Sequence, residues 1–228
     1  LPNGIDPTTF NPFAEGVNSE DALAVEKISQ QIYSTMATFS SAAEGVGAST
    51  TDAFTTSLKS VVKVVKDKAE IIKNGSAAIL DLSSLDVISD IKDALVTNAS
   101  SVAGVNLAAL NSINTDTVTA IKNVNNKINT VTDLTSQSSK NIFSTVNVLR
   151  EQVETAGISK VSGTNYSIKL VNNAEVDAAS SNSAPTDISL SSKSISETAK
   201  SLIIGTLSTT DSDQSAGVKF SYSLAETD

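Results

Sequence analysis

Apolar positions recur at intervals of three and four through the first two thirds of the chain, the spacing that lines one face of an α-helix. Val25, Ile28, Ile32, Met36, Phe39 and Ala43 form the first stripe. Ser19-Glu20-Asp21 opens it with a capping residue and two acids suited to the positive end of the helix dipole, and Gly45 and Gly47 close it. A helix over 19–44 is predicted. Phe54, Leu58, Val61, Val62, Val65, Ala69 and Ile72 predict a second, starting at Ser49-Thr50-Thr51-Asp52 and ending at Asn74-Gly75. A third, shorter one follows Ser83 and Ser84, with Leu85, Ile88, Ile91 and Leu95 on one side, and fades through Asn98-Ala99-Ser100 towards Gly104.

The fourth stripe is the longest. Val118, Ile121, Val124, Ile128, Val131, Thr135, Ser138, Ile142, Val146, Leu149 and Val153 keep near-heptad spacing from a cap at Thr115 or Asp116 to Gly157. Unbroken, its roughly 40 residues at 1.5 Å rise would span about 60 Å. Its middle, Thr135-Ser136-Gln137-Ser138-Ser139, is polar and poor in helix propensity, so a kink or break is expected there. The stripes are expected to pack against one another, giving an antiparallel helical bundle with a long C-terminal helix. A surface for a partner helix or a membrane is the alternative use of the same faces.

After Gly157 the period changes to two. Tyr166, Ile168 and Leu170 alternate with polar residues, a strand signal. Asn172 to Ser183 is small and polar, a linker by composition. Three further strand-like runs follow, at Ile188 and Leu190, at Leu202 to Leu207, and at Val218, Phe220, Tyr222 and Leu224. The fold class read from these patterns is α+β, a helical bundle followed by a partial β-sandwich. The expected division is an extended lead-in over 1–18, where Pro2, Pro7 and Pro12 fall; a bundle over 19–157; a strand and polar linker over 158–184; and an incomplete β-repeat over 185–228.

Composition narrows the chemistry. Of 228 residues, none is His, Cys or Trp, while 36 are Ser and 24 are Thr. Zinc sites of the usual ligands, thiol chemistry and Ser-His or Cys-His nucleophile systems are thereby excluded, as is the commonest general base near neutral pH. With 25 acids against 16 bases the net charge is −9, which argues against nucleic-acid binding through a basic face. No run of about 18 apolar residues exists, so no transmembrane segment is expected. The first residues lack the basic start and apolar stretch of a signal peptide. No catalytic set is legible, and the chain reads as a non-enzyme. Three Asn-x-Ser triplets, at Asn74, Asn98 and Asn165, match the glycosylation pattern, which arises readily by chance in so Asn- and Ser-rich a chain.

One constellation suits a ligand. Asp211 and Asp213 lie two apart in the loop Thr210-Asp211-Ser212-Asp213-Gln214-Ser215-Ala216-Gly217, crowded with oxygen side chains. Paired carboxylates among hydroxyls and carbonyls suit Ca²⁺, a hard cation taking six to eight oxygens.

Four phrases occur in order: Ala184-Pro185-Thr186-Asp187-Ile188, Glu197 before an apolar run, Gly205-Thr206-Leu207 leading to Asp211-Ser212-Asp213, and Phe220-Ser221-Tyr222-Ser223-Leu224. Together they resemble the opening of a bacterial cadherin-like repeat over the last 44 residues. The resemblance implies Ca²⁺ ligation by Asp211 and Asp213 at the junction with the preceding module, and by Glu197 at the opposite end. The linker acids usual before Ala-Pro are here Ser181-Asn182-Ser183, so the backward site lacks those charged ligands. Such a sandwich takes about seven strands, and about three are legible here. The expectation is a segment of a longer protein, or a partner that supplies the missing strands. At the other end Pro2-Asn3-Gly4-Ile5-Asp6 and Asn11-Pro12-Phe13, followed by an Ala-rich helix, resemble helical modules of very large bacterial surface proteins.

These readings point to a structural or adhesive segment of an extracellular or cell-surface bacterial protein, acting as spacer and module link with calcium as stiffener. The expected partners are neighbouring modules or further copies of the chain, with a homo-oligomer or filament through unpaired β-edges as one form. A filament subunit completed by strand exchange with a neighbour is the first alternative. A helical membrane-active protein is the second.

Overall fold

The computed structural model describes residues 6, 9–11, 19–73, 81–181, 187–191 and 206–210. Its elements are six helices, α1 (Ser19–Gly45), α2 (Thr50–Lys73), α3 (Leu85–Ala99), α4 (Leu107–Asn129), α5 (Gln137–Val161) and α6 (Asn173–Ser181), and two strands, β1 (Asp187–Leu190) and β2 (Leu207–Thr210). The chain divides into two compact units, Leu1–Ser181 and Asn182–Asp228. The lead-in is described only at a turn, where the amides of Thr9 and Phe10 donate to the Asp6 carbonyl at 3.2 and 3.0 Å.

In the first unit, α1 packs against α2, α4 and α5, while α3 packs between α2 and α4. Cross-helix contacts fix the directions. Asn125 of α4 donates to Thr35 of α1, and Lys27, earlier on α1, reaches the Asn129 carbonyl, later on α4, so these two helices are antiparallel. Lys68 pairs with Asp90 and Asn98 donates to Ser60, which sets α2 and α3 antiparallel. The largest fully buried side chains include Phe39, Ile88, Ile91, Leu95, Leu110, Ile121, Ile128 and Leu149. One apolar cluster therefore unites the five long helices.

The buried faces of α1 and α2 leave out several of their large apolar side chains. On α1, Val25, Phe39 and Ala43 are buried, but Ile28 and Ile32 are each 37% exposed. From Ser34 onward almost the whole circumference of α1 is covered, and what fills it is small: Ser34, Thr35, Ala37, Thr38, Ser40, Ser41 and Ala42. On α2 the inward row is Ala53, Ser57, Ser60 and Val64, while Phe54, Leu58 and Val62 stand at 46%, 40% and 54% exposure. The reason lies in the approach of the helices. Ser57 Oγ donates to the Met36 carbonyl at 2.5 Å, a backbone contact that a larger residue at 57 would prevent.

The closest approach joins α1 to α5. A Cβ added to Gly45 would lie 2.4 Å from the Glu154 carbonyl oxygen, and one added to Gly157 would lie 2.9 Å from the Gly45 carbonyl carbon. Gly157, expected to end a helix, sits inside α5 as one half of this backbone contact. Gly45 does end α1, and serves the crossing as well.

The expected long fourth helix is two helices. Asn106 caps α4 by accepting from the Ala109 amide at 3.0 Å, so Thr115 and Asp116 lie within the helix and not at its start. The break covers Thr130–Ser136, slightly before the polar stretch in which it was expected. There Asp133 Oδ1 accepts from the Thr135 amide at 2.8 Å and its hydroxyl at 2.7 Å, and Ser136 Oγ accepts from the Ser139 amide at 3.2 Å to start α5. Short oxygen side chains compete with helical carbonyls for backbone donors, and that ends one helix and begins the next.

Two further expectations are corrected after α5. Tyr166, Ile168 and Leu170 do alternate towards the interior, with Ile168 and Leu170 buried, but they form no strand. The segment ends in a 3-10 turn over Lys169–Val171. Side-chain amides take the place of a neighbouring strand: Gln152 Oε1 accepts from the amides of Lys169 and Leu170, and Asn123 Nδ2 donates to the carbonyls of Leu170 and Val171. The expected polar linker holds α6, docked by buried Val176 and by the ion pair between Lys127 and Asp177 at 2.7 Å. The helical unit thus continues past 157 to Ser181.

In the second unit β1 and β2 pair antiparallel, Asp187 opposite Thr210 and Leu190 opposite Leu207. β2 starts where the second strand was expected to end, and 201–205 and the third expected strand at 218–224 lie outside the described residues. Two antiparallel strands, not a sandwich, are what the described part contains.

Overpacking typically costs about 1–3 kcal/mol, and helical Gly→Ala returns about 1 kcal/mol of propensity. Because the obstruction at Gly45 and Gly157 is backbone, Gly157→Ala and Gly45→Ala should each lose about 2 kcal/mol in denaturant unfolding. Gly163, with φ +71° and nothing within 4 Å of an added Cβ, should lose only about 1 kcal/mol on Gly163→Ala. The rotated faces give a second test. Phe39→Ala should cost about 3–5 kcal/mol, and Phe54→Ala well under half of that despite its place in the apolar stripe.

Candidate functional site

Asp211, Asp213 and Glu197 all lie outside the described residues, so the expected Ca²⁺ ligands have no geometry here. Among the described residues no group of three or more carboxylate, His or Cys side chains could hold a metal ion. No described helix is long and apolar enough to cross a membrane.

Several grooves in the helical unit carry charge, among them the following two. One runs between α2 and α3, where Lys63, Asp67, Lys68, Asp90 and Asp93 line its walls. Its lysines are paired, Lys63 with Asp67 at 2.6 Å and Lys68 with Asp90 at 2.7 Å, so each cation already has its carboxylate.

The second groove, of about 400 Å³, lies between α1, α2 and α5. Tyr33, Met36, Ala37, Ser40 and Glu44, spaced three and four apart, supply one wall from α1. Thr50, Thr51 and Phe54, in the first turns of α2, supply another, and Arg150 of α5 closes it. Arg150 is the sole arginine of the chain. Its Nη1 donates to the Tyr33 hydroxyl at 3.5 Å, the outer limit of a hydrogen bond, and its buried Nε has no partner. Glu44 accepts from Ser40 Oγ at 3.2 Å and from Thr50 Oγ1 at 3.4 Å. These opposite charges share a groove without pairing, since the ion pairs among the described residues are all lysine pairs elsewhere. Tyr33 and Phe54, 42% and 46% exposed, add two aromatic faces. Such a groove can bind a ligand with apolar and charged parts.

The groove is not foreshadowed in the helical periodicity, because Phe54 belongs to a stripe that reads as core and Tyr33 to none. The signal available was compositional: a single guanidinium in a chain whose other cations are all lysine.

Among the described residues three titrating groups are displaced. Lys68 is held above its ordinary value, first by its hydrogen bond to Asp90 and then by that residue's charge. Burial, then the charge of Glu151, raises Tyr166. Asp133 is held below its ordinary value of 3.8, first by the Thr135 hydroxyl and then by the Thr135 amide.

No family model, no curated protein and no solved structure matches the chain.

The Asp133 turn gives a pH test. A carboxyl depressed in the folded state stabilises above its unfolded pKa, and that contribution is lost as the pH falls through the folded value. Carboxyl-carbon NMR should find Asp133 titrating below 3.8. Asp133→Asn should narrow the stability gap between neutral and acid pH. A midpoint at or above the ordinary value would remove the turn as its cause.

Proposed function

We propose that the chain is a structural and adhesive segment of a large extracellular bacterial surface protein, a helical spacer followed by a link in a calcium-stiffened β-repeat. The observation that carries this reading is the division into two compact units, helical up to Ser181 and containing the strand pair after it. Separately packed units in tandem are what a spacer and link require.

The composition supports the same reading. A chain without His or Cys, rich in hydroxyls and carrying −9, lacks the groups of common catalytic sites and has a surface suited to solvent. In the β unit, Ile188 is 60% and Leu207 42% exposed, apolar side chains that further strands of a cadherin-like sandwich would cover. The D-x-D at Asp211 and Asp213 supplies the carboxylates for Ca²⁺ at the junction, and Glu197 those for the far end. Calcium there offsets carboxylate repulsion and restricts bending between modules. The same exposed strand pair favours one second reading, a filament subunit whose sheet is completed by a strand from a neighbouring copy.

Heating the 228-residue chain should resolve two transitions. Excess Ca²⁺ should raise the one belonging to the β unit, and the joint change Asp211→Ala with Asp213→Ala should abolish the rise while leaving the helical transition in place. A β-unit transition indifferent to Ca²⁺ removes the calcium link. Sedimentation that finds only monomer at high protein concentration removes the filament.

A further inference from the structure

We propose that the groove between α1, α2 and α5 binds a small apolar zwitterion, a free apolar α-amino acid. Its carboxylate lies on Arg150, its ammonium on Glu44, and its side chain among Tyr33, Met36 and Phe54. The inference is independent of the spacer reading.

Four observations converge. First, Arg150 is charged and underused. A guanidinium has five N–H donors in a planar fork that matches a carboxylate, and this one makes a single contact, 3.5 Å long. Its Nε–H is buried without an acceptor, so the protein has not built a partner for the group. Second, the opposite charge stands in the same groove and is not spent on it. Both hydroxyl contacts to Glu44, at 3.2 and 3.4 Å, are long, and a carboxylate has lone pairs for further donors. A cation and an anion that line one groove without touching select a ligand with both charges, a short distance apart.

Third, the remaining wall is apolar. Tyr33 and Phe54 keep nearly half of their surface open and Met36 lines the same groove, so burying an aliphatic or aromatic side chain there removes apolar surface on both partners. The volume of about 400 Å³ falls in the range of small-molecule sites. Fourth, the net charge of −9 opposes a simple anion throughout its approach, whereas a zwitterion meets no such penalty. The groove lined by Lys63 and Lys68 offers no equivalent, because both lysines are already paired, and the one lined by Asp52 and Lys59 has no aromatic wall.

The test is calorimetric titration of the full chain with four probes. Leucine has both charges and an apolar side chain. N-acetylleucine lacks the ammonium, leucinamide lacks the carboxylate, and glycine lacks the side chain. Leucine should bind saturably at one site, and each of the others about tenfold more weakly or worse, the weight of one charge-assisted pair for N-acetylleucine and leucinamide and of one buried apolar side chain for glycine. Arg150→Gln should reduce leucine to the level of leucinamide, and Glu44→Gln should reduce it to that of N-acetylleucine. Circular-dichroism melts check that each variant is folded, and the comparison of probes on the unaltered chain needs no variant. The proposal is overturned by the absence of saturable heat with leucine, by N-acetylleucine binding as tightly as leucine, or by a folded Arg150→Gln that binds leucine unchanged.

Discussion

The contact of bare backbone between Gly45 and Gly157 sets the terms for the rest of the helical unit. Helices packed through ordinary side chains stand 8–10 Å apart, and a crossing where an added Cβ would meet a carbonyl at 2.4 Å lies inside that spacing. Only small residues fit along such a seam. Along it α1 carries Ser34, Thr35, Ala37, Thr38, Ser41 and Ala42 in the interior, and in its own approach to α1 the second helix turns Ala53, Ser57 and Ser60 inward, with Ser57 on the Met36 carbonyl. Small residues bury little apolar area each, so the stabilising burial comes from elsewhere. Ile88, Ile91 and Leu95 of α3, Leu110, Ile121 and Ile128 of α4, and Leu149 of α5 supply it, at about 1.5–3 kcal/mol per large side chain.

A seam of hydroxyls also has to satisfy them. Ser60 and Thr117 donate to carbonyls four residues earlier in their own helices, and Ser57 to a carbonyl across the interface. Ser34 Oγ and Thr38 Oγ1 are buried without partners. Two amides of α4 work over longer distances, while Asn114 in the same helix is buried with neither amide atom paired. Asn125 donates to Thr35 of α1 and to the Leu82 carbonyl before α3, tying three segments through one NH₂. Asn123 does the same for the turn after α5. A buried amide left unpaired costs about 1–3 kcal/mol, so residues of ordinary polar composition become as constraining as core aliphatics.

What the sequence makes legible follows from this physics. Spacings of three and four report that a helix exists, and the long helices lie close to where those spacings place them. They report the buried face best where packing is through large side chains, as in α3, where Ile88, Ile91 and Leu95 are inside and only Leu85, the first residue of the helix, is exposed. In α2 small residues face inward, and Phe54, Leu58 and Val62 of the apolar stripe stay exposed while Val61 is buried. Gly157 is of the type that usually ends a helix, and sequence alone does not distinguish a terminator from a crossing point. The segment Tyr166–Leu170 kept its period of two, but its hydrogen-bond partners were side chains of Gln152 and Asn123, far away in sequence and invisible to a local pattern. The linker after it became α6 because a tertiary contact at Val176 and an ion pair at Asp177 outweigh weak propensity.

The groove is a consequence of the same constraint. Once α1, α2 and α5 approach through small residues, bulky side chains such as Tyr33 and Phe54 have no room between them and come to rest at the margin, beside Arg150. Packing therefore explains the apolar walls without any ligand. It does not explain the charges. A guanidinium and a carboxylate that line one groove would gain by pairing, and the flexible side chains of Arg and Glu commonly reach one another across such spaces. Here Glu44 is turned to Ser40 and to Thr50, at the first residue of α2, where the helix dipole favours a negative charge. That engagement leaves Arg150 facing the groove with one long contact to Tyr33. The arrangement leaves two opposite charges unpaired in one groove, and that, more than the hollow itself, is the property a ligand would recognise.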